Sequence, residues 1–177
     1  MNVHLRPWRA EDAPALLTAQ HSNSDLDSQF GDAEVANEAQ AVEYIQSTLR
    51  FGDAFKNWAI VVDDLAVGNV GLAHIERRHD TAWAHYWLGA GARGHGYASR
   101  ALAAVAGWAF SDGLYRLELG HRVNNPSSCR VATAAGFVAE GLERQKLRYG
   151  TERFDVETHA RLATDPVPMI SGMTVAS

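Results

Sequence analysis

With 177 residues, 46% hydrophobic and 21% charged, the chain is long enough for one packed domain and too apolar for disorder. A net charge of −5 gives little electrostatic basis for a nucleic-acid partner, and the single cysteine, Cys129, excludes an intrachain disulfide framework and a thiolate metal cluster. The opening Met1-Asn2-Val3-His4-Leu5-Arg6 lacks a signal-like apolar run and no segment approaches membrane-spanning length, so no membrane partner and a cytoplasmic location are expected.

Val3 to Trp8 reads as a short strand, and Glu11 and Asp12 place negative charge where a helix start favours it, with Ala13 to Ala19 continuing that helix. His21 to Asp32 is polar and irregular, and its Asp25, Asp27 and Asp32 are candidate acidic contacts. A second helix is expected from Glu34 to Leu49, where Ala41, Tyr44, Ile45 and Leu49 recur at three- and four-residue spacing. Trp58 to Val62, Val67 to Ile75 and Thr81 to Leu88 read as strands separated by turns at Asp63-Asp64 and His79-Asp80. Their connections are too short for crossover helices, so an antiparallel meander is predicted.

Tyr97 to Phe110 is a predicted helix with a small-to-large apolar face and Gly113 as its stop. Arg116 to His121, reached through that helix, can lie parallel to the strand ending at Leu88. Asn125 caps a short helix with Pro126 in its first turn, ending at Gly136; Phe137 to Leu147 and Arg153 to Leu162 then form a hairpin around Tyr149-Gly150. Residues 166–177 show no pattern and are expected as a peripheral tail beyond a domain of residues 1–165. The fold class is α/β (α+β): a mixed, mostly antiparallel central sheet flanked by helices, with a ligand slot beside the glycine turn if the strand ending near Gly89 diverges from the Arg116 strand and the two central parallel strands split.

The strongest chemical signal is Tyr86-Trp87-Leu88-Gly89 followed by Arg93-Gly94-His95-Gly96-Tyr97-Ala98. Gly94, Gly96 and Ala98 keep alternate positions small, so amide N–H groups can converge on an anion at a helix start. The run lacks the lysine and hydroxyl pair of a P-loop and the third glycine of a dinucleotide fingerprint.

Arg93-Gly94-His95-Gly96-Tyr97-Ala98 resembles the R/Q-x-x-G-x-G/A motif of the GNAT family of N-acetyltransferases. Tyr86-Trp87-Leu88, Asn125-Pro126-Ser127-Ser128, Gly136-Phe137 and Glu140-Gly141 follow the order typical of its RimJ/RimL-like subgroup of ribosomal-protein alanine acetyltransferases. The resemblance spans about residues 3 to 163 and is strongest from 86 to 141. It implies acetyl-CoA as acyl donor. Trp87, Leu88 and Gly89 would hold the pantetheine arm, Arg93, Gly94, His95, Gly96, Tyr97 and Ala98 the pyrophosphate, and Asn125 and Ser128 the region near the thiol. Ser128 would protonate the departing thiolate. A helix cap alone is the other reading of Asn125, and a first-turn helix residue that of Ser128.

The expected reaction is direct attack of a primary amine on the thioester, assisted by general acid and base groups and needing no metal or acyl-enzyme. The subgroup often has an acidic residue near the position of Trp83, which cannot take a proton. His85, Glu76 and His74 are therefore the candidate bases, His74 and Glu76 sharing a strand face, with Glu118 and His121 on opposite faces of their strand as weaker alternatives; Trp83 and His85 are candidate acceptor-binding residues. His74, His85, His95 and His121 lack a short ligand motif, so no metal site is expected. The acceptor is either a protein or peptide N-terminus or a small-molecule amine. A second acyl donor such as succinyl-CoA, a silent CoA-binding module and a homodimer remain alternatives.

Overall fold

The computed structural model describes residues 2–22, 26 and 35–176. Strands β1 (Val3–Pro7), β2 (Lys56–Val62), β3 (Leu65–Glu76), β4 (Thr81–Leu88), β5 (Arg116–Arg122), β6 (Val138–Tyr149), β7 (Glu152–Leu162) and β8 (Thr174–Val175) form one sheet. Their spatial order is β6-β7-β5-β4-β3-β2-β1-β8. Pairings are antiparallel except β4 with β5 and β1 with β8. Helices α1 (Ala13–His21), α2 (Glu38–Ser47), α3 (Tyr97–Ser111) and α4 (Pro126–Ala134) cover the two faces.

Local chemistry accounts for the meander. Asp63 and Asp64 both adopt left-handed backbone (φ 45 and 71), the conformation of a two-residue hairpin turn whose twist matches its flanking strands. Strand alternation then sorts β4. Ala82, Ala84, Tyr86 and Leu88 pack with the α3 face, against Ala98, Ala101, Leu102, Val105 and Ala109. Trp87 joins the opposite core with Leu16, Ala41, Ile45 and Ala59. The small side chains along α3 allow its close approach to the sheet, as the apolar pattern predicts.

The decisive feature is where pairing stops. β4 and β5 are joined only at Thr81–Arg116, Ala82–Leu117 and Trp83–Glu118. Beyond that point β4 still pairs with β3 as far as Leu88, and β5 with β7 as far as Arg122. The two central parallel strands therefore part after Trp83, and the expected split is present.

Two expectations change. Within 166–176, Thr174 and Val175 pair with β1, and Met173 is buried in the core. The Trp58 indole N–H donates to the Ala176 carbonyl at 3.0 Å, so that burying this aromatic also satisfies its polar atom. Second, His74 and Glu76 do not share a simple strand face. A β-bulge lies between Ala73 and Glu76, with His74 at φ 50, and the two-residue alternation is broken there. Of the acidic segment, Asp25, Asp27 and Asp32 lie outside the described residues, as does Glu34 of the second predicted helix. α2 begins instead after Asn37, whose side chain accepts from the Gln40 amide at 3.0 Å.

Candidate active site

The split opens into a slot of about 570 Å³ between β4, α3 and α4. Trp87, Leu88, Arg93, Gly94, Gly96, Tyr97, Ala98, Asn125 and Ser128 all line it. Its mouth is shaped by glycine chemistry. Gly94 and Gly96 have φ of 81 and 75, and a Cβ built at either would meet nothing within 4 Å. These positions need glycine for backbone conformation, and their bare surface leaves open space in front of the α3 N-terminus. An anionic diphosphate fits that cradle. The Arg93 guanidinium folds back, donating to the Leu88 carbonyl from Nε at 3.2 Å and Nη2 at 3.1 Å, which ties the loop to the strand end.

Gly89 and His95 line a different cavity of about 610 Å³, between α1, the β2–β3 turn and the rear of the glycine loop. His95 stacks on Tyr97 with ring centroids 5.4 Å apart. Tyr97 lines both spaces, and the loop divides Gly89 and His95 from the remaining proposed cofactor contacts.

Asn125 Oδ1 accepts from the Ser128 amide at 3.2 Å, so Asn125 caps α4 and lines the slot at once. Tyr86, Ser127, Arg130 and Val131 also line it, and sequence reasoning did not single them out for it. Tyr86 Oη donates to the Ser128 carbonyl at 3.3 Å. Burial pushes its hydroxyl pKa up, so it stays a donor. Its position two residues before Leu88 was the available signal, because alternation turns it to the face of α3 and α4. For Arg130 the signal was helical spacing from Ser127, whose Oγ accepts from it at 3.0 Å.

The proposed acceptor and base residues lie elsewhere. A Cβ at Gly120 would come within 3.3 Å of the Trp83 indole, so Trp83 lies against β5 just where the strands part. The Lys146 ammonium sits 5.5 Å from the Trp83 ring centroid. His85, itself half-buried, is the outer member of a polar chain that runs inward: its Nε2 lies 3.0 Å from Asn57 Oδ1, which accepts from Asn69 Nδ2 at 3.1 Å, and Asn69 Oδ1 accepts from Trp8 Nε1 at 2.9 Å. Burial, reinforced by the charge of His74, lowers the His85 pKa to about 4. The ring is neutral at physiological pH and a weak proton acceptor. Glu76 accepts from the amides of Arg78 at 2.5 Å and His79 at 3.0 Å, closing the β3–β4 turn. His74 is exposed on the bulge.

Residues 2–138 match the family model for the acetyltransferase (GNAT) domain. The chain belongs to the GNAT acetyltransferase family. It is 34% identical over 108 residues to the ribosomal-protein-serine acetyltransferase of Escherichia coli strain K12, a match spanning 60% of each protein. Among solved structures it is similar to RimL, the ribosomal L7/L12 α-N-protein acetyltransferase in complex with coenzyme A, with TM-score 0.82 and 24% identity over 92% of this chain and 94% of that one. It is likewise similar to the microcin C7 self-immunity acetyltransferase MccE in complex with acetyl-CoA and AMP, with TM-score 0.81 and 22% identity over 91% and 92%. These two likenesses establish the GNAT fold. No helix among the described residues is long and apolar enough to cross a membrane.

Proposed function

We propose that the chain transfers the acetyl group of acetyl-CoA to the α-amine of a protein or peptide N-terminus. The observation that carries the reading is the slot itself: strands that part after Trp83 and a glycine cradle at its mouth, in a GNAT-family chain. Acetyl-CoA would lie with its phosphates at Gly94–Ala98 and its thioester between the separated strands. The amine attacks the thioester carbonyl as free base, the C–S bond breaks, and the Ser128 hydroxyl gives a proton to the departing sulfur and regains the one shed by the acetylated nitrogen through water, with Tyr86 as the adjoining donor.

Among the described residues, those lining the slot include no carboxylate and no imidazole to take the amine proton, which favours an acceptor that is already free base. By the subgroup resemblance an acidic residue is often found near the position of Trp83, which cannot take a proton, and His85, at about 4, takes one poorly. An α-amine has an ordinary pKa of about 7.7–8.0 and a lysine amine about 10.4, so the former supplies far more free base near neutral pH. The similarity to a ribosomal-protein-serine acetyltransferase supports the same choice. A protein acceptor of that kind fits the expected cytoplasmic setting.

The test offers acetyl-CoA together with a peptide bearing a free N-terminal serine or alanine, the same peptide N-blocked with an internal lysine, and spermidine. The reading expects acetylation of the free N-terminus, with a rate rising through the α-amine pKa and one CoA released per acetyl group. Preferential acetylation of spermidine or the internal lysine would overturn the acceptor class, and binding of acetyl-CoA without transfer to any of the three would favour a silent module.

A further inference from the structure

We propose that the chain carries a site for a borderline-soft divalent cation such as zinc, formed by His121 of β5, Cys129 of α4, and Glu157 and His159 of β7. It lies beside the slot, does not depend on the acceptor, and plays no part in the transfer step.

Register builds the cluster. His121 and Glu157 are directly opposed across β5 and β7, and His159 stands two residues along from Glu157 on the same face. Cys129, in the first turns of α4, closes it from above. One donor atom from each residue lies within 4.8 Å of all the others. His121 Nε2 is 3.0 Å from His159 Nε2 and 3.4 Å from Glu157 Oε2; His159 Nε2 is 2.9 Å from Glu157 Oε2, and Cys129 Sγ is 3.7 Å from it. A tetrahedral ion with bonds of about 2.0–2.3 Å separates its donors by about 3.3–3.6 Å; the His121–His159 and His159–Glu157 pairs must open slightly, and the longer separations, up to 4.8 Å, must close as the side chains gather on the ion.

The donor orientations point inward. His121 Nδ1 lies 3.0 Å from the Arg122 carbonyl, which fixes the ring proton there and aims the Nε2 lone pair into the cluster. Both imidazoles are buried, His159 at 2% exposure and His121 at 8%. Two nitrogens, a sulfur and one carboxylate suit zinc or cobalt and are poor for magnesium or calcium, which demand oxygen. A thiolate and a carboxylate together balance a divalent charge. One feature opposes tight binding. His159 Nδ1 is buried without a hydrogen-bond partner, and a cation on Nε2 would move the ring proton to it. The affinity should therefore fall below that of closed structural zinc sites. Sequence inspection misses the group because its ligands come from three elements with no short spacing.

Cobalt titration of the metal-stripped, tag-free full chain tests the site. The expected result is one equivalent of Co²⁺ at micromolar concentration giving intense visible bands of four-coordinate cobalt and a near-ultraviolet thiolate-to-cobalt band, both displaced by one Zn²⁺. Cys129→Ser should abolish the ultraviolet band, and Glu157→Gln should keep it. Each should weaken binding at least as much as the roughly 10–100-fold typical of an outer-shell change. Absence of a saturable spectrum in the wild type would overturn the site, as would an ultraviolet band that survives in a folded Cys129→Ser. Circular dichroism establishes folding of each variant; if Cys129→Ser fails to fold, Glu157→Gln decides, and unchanged affinity in it overturns the site.

Discussion

His85 shows how one residue's surroundings reshape its chemistry. Its Nε2 and the Asn57 amide cross above Gly71, where an added Cβ would lie 2.7 Å from His85 Nε2 and 2.4 Å from Asn57 Oδ1. Glycine at 71 is thus a packing requirement of the polar chain, invisible in sequence because Gly71 and Asn57 are distant from His85 along the chain. Burial, then the neighbouring His74 charge, lowers the His85 pKa to about 4, against about 6.5 unfolded. Between those values the unfolded chain binds a proton that the folded one does not. The stability His85 contributes is therefore complete above about pH 6.5 and is lost as pH falls toward 4, by roughly 3 kcal/mol at 1.36 kcal/mol per pH unit. Thermal melts of the wild type and His85→Gln from pH 7 to 4 should show a shallower acid decline in the variant. Parallel declines would refute the neutral imidazole. The sequence named this histidine but left open whether it was a base or a packed sheet residue, a question that turns on burial.

Elements whose boundaries are written in turn chemistry were legible. The Asp63-Asp64 turn, the glycine turn before α3, Gly113 after it and the Asn125 cap each carry a residue type the backbone conformation demands. Elements set by tertiary contact were not. The bulge at His74 follows no local signal, and β8 is two residues long, too short for periodicity to register. Its function is packing: Met173 joins the core, and Arg100 Nε donates to the Ser171 carbonyl at 3.1 Å. Deleting residues 166–177 should expose Met173's site and strip Trp58 of its carbonyl partner, for a loss of roughly 2–5 kcal/mol. Denaturant unfolding would register that loss, and red-shifted tryptophan emission would accompany it. An unchanged midpoint would mean the tail is dispensable.

At the scale of the whole molecule, the parallel junction was legible from one crossover helix, and the split from the glycine turn placed beside it. What the chain order could not reveal was that the glycine loop has two sides, with Gly94 and Gly96 on the slot and Gly89 and His95 on the second cavity. Nor could it reveal that β5, α4 and β7 converge on His121, Cys129, Glu157 and His159. The proposed chemistry rests on one premise, that acetyl-CoA is held with its phosphates in the bare cradle before α3. Calorimetric titration of acetyl-CoA into the wild type and Gly96→Asp tests it most directly. Aspartate tolerates the left-handed backbone at 96 and sets a carboxylate where the phosphates would rest. The account predicts one acetyl-CoA per wild-type chain and at least tenfold weaker binding to the folded variant, about 1.4 kcal/mol; equal binding by both proteins would contradict it.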